Sequence, residues 1–467
     1  METGQDEEIV SFRDPDGYIF ISNGEIYRQV NNCYKINYDR LMSSGLYETL
    51  TSLNLLIPHI EEYEFEYSKK NDSYKVLKPE KINVIAYPFE LCFSQLKDSA
   101  LAVLNIMEKS LSYDMILKDA SSYNVQFHNG LPVFIDTLSF EIYNEGEPWI
   151  GYHQFCKHYI APLCLMRYLD GRANKLLQVN LDGLPLDLCS KFLPVKSYFS
   201  KLAFIHIHLN YKLGTFLSNV KSLNSSLSSI KISKDSLLSL IRNLKKYIEN
   251  TKLKEKSVKS VWENYYETSN YSESEFEIKK QIVKNMVDKI KSDASNSLDI
   301  GANTGVFSRL LANSGIFTVS IDNDMNCIEQ NYIQMKSENI RNLVPLNFDF
   351  VNIYSRTGWA GKEQLSLLDR FKPDLCLALA VTHHLRITSG IPLMMLADLF
   401  QKICKYLIIE FVPKSDKQTA SLLKFRKDIY YDYSQFTFEA SFSRHFKILQ
   451  NETIGNTGRI IYLMQKY

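Results

Sequence analysis

The sequence lacks several features that would narrow its function at once. No uninterrupted apolar run reaches the roughly 18 residues of a membrane-spanning helix, so we expect no membrane span. A formal net charge of +1 and a pI of about 7.5 give no sign of a broad phosphate-binding face, and we expect no nucleic acid partner. The N-terminus is acidic and holds no apolar signal core, which predicts a cytoplasmic protein.

Clustered metal ligands are also missing. The eight cysteines form no C-x-x-C pair and stand mostly within apolar runs, which predicts reduced, buried thiols. The histidine pairs His153/His158 and His206/His208 miss the i, i+4 spacing that would stack two imidazoles on one helical face. We therefore predict structural histidines and no metal site. The cysteines are Cys33, Cys92, Cys156, Cys164, Cys189, Cys327, Cys376 and Cys404.

The length and composition favour a chain of two folded domains. With 467 residues, 45% of them apolar and 23% charged, the chain is long enough for more than one core and too mixed to be disordered. A serine-rich stretch over 220–232 is followed by a lysine-rich stretch over 244–259, which marks a boundary. We predict an N-terminal domain over 1–220, a helical linker over 221–260 and a C-terminal domain over 261–467.

The stretch 297–323 predicts a nucleoside-cofactor site. It reads as a strand, a turn with Gly301 and Gly305, a helix, and a second strand that ends at Asp322. Glycine lets the backbone pass close under a ligand, and Asn303 tolerates a left-handed conformation in the same turn. The helix that follows offers unpaired N–H groups and the positive end of its dipole.

These residues resemble the cofactor motif of class I S-adenosylmethionine (AdoMet) methyltransferases. The pattern is Asp299-x-Gly301-x-x-x-Gly305, with a second acidic residue closing the next strand. A nicotinamide enzyme requires Gly-x-Gly-x-x-Gly, and here Asn303 and Val306 stand at the second and third glycine positions. The resemblance implies that AdoMet is the cofactor and that the Asp322 carboxylate accepts hydrogen bonds from its ribose diol.

The residues downstream continue the same resemblance. It implies that Asp349 and Phe350 meet the adenine, and that Phe446–Gln450 and Arg459–Gln465 form the closing antiparallel pair of a methyltransferase sheet. The predicted fold is an α/β Rossmann-like domain with a seven-stranded sheet and an antiparallel last strand. The predicted cofactor residues are Asp299, Gly301, Asn303, Gly305, Asp322, Asn323, Asp349, Phe350 and Ala378.

Candidate catalytic residues follow an apolar strand predicted over 374–381. If the strand continues through His383 and His384, only one imidazole faces the cofactor cleft, and we prefer His384. A neutral imidazole suits removal of a hydroxyl proton near neutral pH. Glu410, at the end of the next strand, is the alternative base. In a third interpretation, one histidine caps the following helix and the other is buried.

The N-terminal half predicts an α+β domain. Asn23-Gly24 is the strongest hairpin signal in the chain, and a helix is predicted over 38–53. Asp119, Asn124 and Asp136 follow with kinase-like spacing and resemble the metal-side residues of the protein-kinase-like fold.

The sequence departs from the kinase pattern at the phosphate side. It has no glycine-rich phosphate loop and no Val-Ala-x-Lys strand, and only Arg28, Lys75 and Lys78 offer a cation. We therefore predict a degenerate kinase-like domain in which Asp119, Asn124 and Asp136 share one cleft and no cation stands where a β-phosphate would lie.

The run LALAVTHHL, with EFVPK further on, is similar to a group of bacterial methyltransferases that carry a kinase-like region, some described as nodulation host-specificity proteins. The resemblance implies methyl transfer to a hydroxyl of a small-molecule or saccharide acceptor. A bifunctional kinase and methyltransferase, and a methyltransferase docked on a protein or carrier through its N-terminal domain, remain alternatives. Four aromatic residues ahead of the first strand either close over the cofactor or pack on the sheet. They are Trp262, Tyr265, Tyr266 and Tyr271.

Overall fold

The computed structural model describes residues 8–11, 13–62, 72–213, 231–253, 272–353, 356–361, 363–424 and 428–467. The predicted aromatic segment over 262–271 lies outside these residues. The chain divides into an N-terminal unit, Met1–Ser257 with Arg356–Leu365, and a C-terminal unit, Val258–Ser355 with Ser366–Tyr467. None of the helices in the described part of the chain is long and apolar enough to cross a membrane.

The N-terminal unit begins with a five-stranded antiparallel sheet in the order β1-β2-β3-β5-β4. The turn between β2 and β3 is Asn23-Gly24, with φ angles of 53° and 78°, as the hairpin signal predicted. The strands are β1 Glu8–Ile9, β2 Gly17–Ser22, β3 Glu25–Asn31, β4 His59–Glu62 and β5 Ser73–Pro79.

Helices make up most of the rest of this unit. The helix predicted over 38–53 is two helices, α1 and α2, because Gly45 adopts a left-handed φ of 84° between them. The helices are α1 Lys35–Ser43, α2 Leu46–Ser52, α3 Phe93–Ser112, α4 Tyr152–Phe155, α5 Ala161–Tyr168, α6 Leu186–Phe192, α7 Lys201–Ala203 and α8 Lys234–Glu249. The short strands after α3 are β6 Met115–Leu117, β7 Val125–His128, β8 Leu131–Phe134 and β9 Phe140–Ile142.

The cysteines and histidines mostly have the structural roles that the sequence predicted. None of the eight cysteines forms a disulfide bond, and seven are buried, but Cys33 is exposed, which corrects the prediction for that residue. His158 hydrogen-bonds to the Ser122 hydroxyl at 3.0 Å, and His206 bonds to the Tyr152 hydroxyl at 2.7 Å. No cluster of three metal-ligating side chains occurs within the described ranges.

The C-terminal unit is built on a seven-stranded sheet in the order β12-β11-β10-β13-β14-β16-β15. Strands β10 to β14 run parallel, and β16 lies antiparallel between β14 and β15. The strands are β10 Asn296–Ile300, β11 Phe317–Asp322, β12 Leu343–Asn347, β13 Leu375–Ala378, β14 Tyr406–Phe411, β15 Phe446–Thr453 and β16 Ile460–Lys466. Because the parallel strands point the same way, their carboxyl ends meet at one edge.

Helices pack on this sheet through apolar stripes. The first begins at Ser272, whose hydroxyl and backbone N–H form a capping box with Glu275. Its buried residues Ile282, Val283, Met286 and Val287 join Leu377, Ile408 and Leu463 in the core. The helices are α9 Glu273–Ile290, α10 Val306–Asn313, α11 Met325–Ser337, α12 Leu367–Arg370, α13 Leu393–Ile403, α14 Lys417–Leu423 and α15 Gln435–Phe442.

A buried network of four charged side chains holds these elements together. Glu410 of β14 accepts a bond from Lys279 Nζ of α9 at 2.7 Å and one from Arg459 Nη1 at 3.3 Å. Arg459 also donates to Asp416 through Nε at 2.8 Å and through Nη2 at 3.0 Å. Each charge is paired, which offsets the desolvation that burial imposes.

Replacing Arg459 by alanine should strongly destabilise the C-terminal unit. The change leaves Asp416 and one oxygen of Glu410 buried without their cation, and such a loss costs about 3–5 kcal/mol. Urea unfolding of the full chain measures it. The exposed Arg444→Ala is the matched control and should change stability by less than about 0.5 kcal/mol. Equal effects of the two substitutions would show that the network contributes little.

Candidate functional site

A cavity of ≈ 300 Å³ opens at the carboxyl edge of the parallel strands in the C-terminal unit. It has the position that ligand sites take in open α/β sheets. Eight of the predicted residues line it or its rim: Asp299, Gly301, Asn303, Asp322, Asn323, Asp349, Phe350 and His384. Four do not line it: Gly305, Ala378, His383 and Glu410.

The turn after β10 has the left-handed geometry that its sequence predicted. Gly301, Asn303 and Gly305 have φ angles of 70°, 50° and 76°. A Cβ on Gly305 would lie 2.0 Å from Oδ1 of Asn331, so a neighbouring side chain, rather than a ligand, excludes larger residues there. A Cβ on Gly301 would meet Cγ1 of Val381 at 2.3 Å. The glycines are therefore required for the turn to pack inside the protein.

Asp322 closes β11 and holds the turn beside it. One carboxylate oxygen accepts the N–H of Asn303 and the other accepts that of Asp324, both at 2.8 Å. A carboxylate has about four lone-pair directions, so both oxygens keep capacity for a further donor. Burial raises the pKa of this half-buried group to about 6. A ligand that donates hydrogen bonds to Asp322 would therefore stabilise its ionised form.

Asp299 lies deeper, on β10. Its Oδ2 accepts a 2.5 Å bond from the Ser308 hydroxyl, which fixes the carboxyl group at the start of α10. Burial, and then the nearby Asp322 charge, raise the pKa of Asp299 to about 7. Lys279 also lines the cavity, and its charge opposes this shift. A bound cation would favour ionisation of both carboxyl groups.

Asp349 and Phe350 follow β12 at the same edge. Both are half-buried and line the cavity, and Oδ1 of Asp349 accepts the N–H of Val351 at 2.9 Å. A carboxylate and a ring thus face the cavity from the strand next to Asp322. Ala378, in contrast, is fully buried within β13.

The two histidines lie on a helical turn, which corrects the expectation that the strand runs through them. Strand β13 ends at Ala378, Ala380 has a left-handed φ of 54°, and a π-helical turn spans His384–Thr388. The imidazole of His384 lines the cavity, whereas His383 is 1% exposed and lies behind it. Burial lowers the pKa of both imidazoles, so both are neutral at pH 7.

Glu410 is part of the buried charge network. Both of its oxygens bind cationic side chains, and none of its surface is exposed. A carboxylate that balances two buried cations is poorly placed to exchange protons with a substrate.

Sequence reasoning missed several residues that line the cavity. Lys279 is the main one, and its signal was available: together with Ile282, Val283 and Met286 it follows the i, i+3, i+4, i+7 spacing of the buried face of α9. Ala380 gave no signal, because its left-handed backbone depends on the tertiary structure around it.

The N-terminal unit brings a cation to one of its predicted kinase-like residues. Arg28 of β3 forms an ion pair with Asp136, which also accepts bonds from the Ser139 hydroxyl and the Leu138 N–H. This corrects the expectation that no predicted cation reaches that group. Asp119 accepts the Ser121 N–H at 2.8 Å, and burial raises its pKa.

Lys75 and Lys78, the other two predicted cations, form ion pairs with other carboxylates of the same unit. Lys75 pairs with Glu61 at 2.6 Å, and Lys78 pairs with Glu25 at 3.4 Å.

No protein-family model matches the chain. Over 462 residues it is 29% identical to the nodulation protein NoeA of Rhizobium meliloti (strain 1021), with 98% of this chain and 95% of NoeA covered. This match confirms the predicted resemblance to nodulation proteins. The strand order, with its antiparallel seventh strand, agrees with the class I methyltransferase fold.

Two solved structures each align with less than half of the chain. The bifunctional kinase-methyltransferase WbdD aligns with 14% identity and a TM-score of 0.32, over 45% of this chain and 44% of WbdD. The chain therefore spans less than half of the WbdD chain. The N-methyltransferase NodS of Bradyrhizobium japonicum, in complex with S-adenosyl-L-homocysteine, aligns with 13% identity and a TM-score of 0.31, over 42% of this chain and 89% of NodS.

Replacing Gly305 by alanine should destabilise the C-terminal unit more than the same replacement does at a left-handed glycine with open space around it. Asn331, which the new Cβ would meet, is held by a 2.9 Å bond to the Ser320 hydroxyl. Gly315→Ala is the control, since it has a φ of 88° and no atom within 4 Å of the added Cβ. It should lose about 1–2 kcal/mol, and Gly305→Ala about 1–3 kcal/mol more. Equal losses in chemical unfolding would contradict the packing explanation.

Proposed function

We propose that the protein is an AdoMet-dependent methyltransferase that acts on a hydroxyl group of a small molecule or saccharide. One observation carries the proposal: Asp299, Asp322, Asp349 and His384 line one cavity at the carboxyl edge of a methyltransferase-type sheet. The first three side chains suit a cationic nucleoside cofactor, and His384 supplies a neutral base. The NoeA match supports the resemblance to nodulation proteins and leaves the acceptor open.

The residues present fit AdoMet in charge and in shape. The sulfonium and ammonium groups of AdoMet are cations. The pKa values of Asp299 and Asp322 are raised, and a cation bound beside these carboxyl groups would stabilise their ionised forms. The half-buried Asp322 has hydrogen-bonding capacity for a ribose diol. Phe350 offers an aromatic face beside Asp349 for an adenine.

Bound AdoMet supplies an electrophilic methyl group on a sulfonium, and the chain has to align the acceptor and remove its proton. His384 is our candidate base, because its lowered pKa keeps the imidazole unprotonated at neutral pH. Glu410 is held in ion pairs with Lys279 and Arg459, which leaves the histidine as our candidate to accept the proton. Alignment of donor and acceptor then provides most of the rate enhancement.

For the N-terminal unit we propose recognition of the acceptor or of a carrier. In phosphoryl transfer the aspartate at the position of Asp136 must face a metal ion and phosphates. Here that carboxylate is bound to Arg28, Ser139 and the Leu138 N–H. The bifunctional alternative keeps one supporting observation, which is that a cationic side chain, Arg28, lies beside the Asp136 carboxylate.

AdoMet affinity should depend on Asp322 and on pH. Asp322→Asn removes a charge-assisted pair of hydrogen bonds worth about 1.5–3 kcal/mol, and affinity should fall about ten- to a hundredfold in titration calorimetry of the full chain. Wild-type affinity should rise from pH 5 to pH 8, as Asp322 and Asp299 ionise with pKa values of about 6 and 7. Both pKa values are raised in the fold, so stability without ligand should fall over the same range.

Asp324→Asn is the matched control for this experiment. Asp324 caps α11 through the N–H groups of Asn326 and Cys327 and does not line the cavity. Asparagine caps a helix about as well and keeps the backbone N–H that binds Asp322, so AdoMet affinity should change far less than in Asp322→Asn. Unchanged affinity in Asp322→Asn would remove the ribose assignment, and an absence of AdoMet binding by the folded wild-type chain would overturn the proposed function.

The full chain should not consume ATP in the presence of magnesium above background. The reason is that the Asp136 carboxylate already holds Arg28 and two other donors, whereas phosphoryl transfer depends on metal and charge positioning at this group. ADP release measures it, with Asp136→Asn as the comparison. ATP consumption that disappears in Asp136→Asn would establish the bifunctional alternative.

A further inference from the structure

A second candidate surface lies on the N-terminal unit, far in sequence from the cavity residues. Between 186 and 213 the chain forms α6, a 3₁₀ turn Val195–Phe199, α7 and a π-helical turn Phe204–Leu209. Phe199 is 89% exposed and Val195 is 78% exposed, and Phe192 at the end of α6 is also exposed. Apolar side chains grouped in this way mark an interaction site more often than isolated ones do.

Lysines accompany these apolar side chains. Residues 186–213 contain four lysines, Lys191, Lys196, Lys201 and Lys212, and a single carboxylate, Asp187, which lies 3.5 Å from Lys191. Lys196 and Lys201 line a shallow hollow together with Phe199 and Arg167. The whole chain has a net charge of only +1, so this excess of positive charge is local. We call Phe192, Val195, Lys196, Phe199 and Lys201 the basic apolar face.

The basic apolar face is held by a firm underlying structure. The ring of Tyr198 stacks on His208 at 3.9 Å between centroids and 8° between planes. The imidazole of His208 is bound on both sides, by the hydroxyls of Ser190 and Ser197, each at 2.8 Å. These contacts tie the 3₁₀ turn to α6 and to the π-helical turn. The exposed residues on the turn are therefore presented by an ordered scaffold.

The composition of this face fits one class of partner better than another. Lysine is depleted in the centre of protein interfaces, where arginine and aromatic residues are enriched. Surfaces that bind lipid bilayers combine lysine with exposed aromatic and aliphatic side chains, because the apolar groups enter the headgroup region while the ammonium groups meet lipid phosphates. Lys196 and Lys201 beside Phe199 have the second composition.

We propose that the basic apolar face binds the surface of an anionic lipid bilayer. The contact is peripheral: Phe192, Val195 and Phe199 enter the interface, and Lys196 and Lys201 pair with the phosphates of anionic lipids. It requires neither a membrane-spanning helix nor methyl transfer.

Co-sedimentation of the full chain with lipid vesicles tests the proposal. The protein should bind vesicles of equal parts phosphatidylcholine and phosphatidylglycerol, bind phosphatidylcholine alone much more weakly, and be released by high salt. The double variant Lys196→Gln/Lys201→Gln should bind about 25-fold more weakly, at about fivefold for each lysine. Val195→Ser/Phe199→Ser should also lose binding, because it removes the apolar contribution.

Matched controls test whether an exposed lysine or apolar side chain outside this face has the same effect on vesicle binding. Ile36, 73% exposed on α1, and the exposed Lys81 lie elsewhere on the same unit, and Ile36→Ser and Lys81→Gln should bind vesicles as wild type does. Thermal melting of each variant shows whether it is folded. Absence of binding to anionic vesicles, or equal binding by the folded face variants, overturns the proposal. So does self-association that depends on Phe199 in ultracentrifugation without vesicle binding, which would assign the face to a second copy of the chain.

Discussion

The C-terminal unit depends on how it accommodates charge in its interior. Lys279, Glu410, Asp416 and Arg459 come from a helix, a strand, a loop and the residue just before the last strand, and each is almost completely removed from water. Such groups are tolerated only when every charge has a partner, so the network fixes the positions of the four elements relative to one another. The same network has a chemical effect, because the positive charge of Arg459 contributes to the lowered pKa of His384. After burial, which is the larger cause, the network that stabilises the unit thus also helps to keep the candidate base neutral.

Much of this unit could be predicted from the sequence because its signals are local. The turn at Gly301, Asn303 and Gly305 lies between two apolar strands, and left-handed backbone there follows from residue type. Asp322 ends one strand and Asp349 follows the next, and parallel strands deliver such residues to one edge. These inferences need only periodicity and neighbouring residues. The glycine requirement itself was attributed to the wrong neighbour, since Asn331 of α11 sets it at Gly305.

The rest could not be predicted because it depends on pairs that are distant in the chain. Arg28 and Asp136 are 108 positions apart, and Lys279 and Glu410 are 131 apart, so no spacing rule joins either pair. The left-handed Ala380 ends β13 early and places His384 on a helical turn, against the local preference of an alanine. Tertiary packing selects each of these features, and a single sequence does not reveal that packing.

The position of β16 has a consequence for how the domain assembles. This strand is the last of the seven to be synthesised, yet it pairs with β14 on one side and β15 on the other. Until β16 pairs, β15 has no neighbour in the sheet, and Glu410 lacks its Arg459 partner. Pairing over such long sequence separations is slow and leaves strand edges exposed in the meantime. The folding domain therefore passes through a stage in which Glu410 lacks one of its two cations and the edge of β14 is open. The segment that contains Arg459 and β16 completes both.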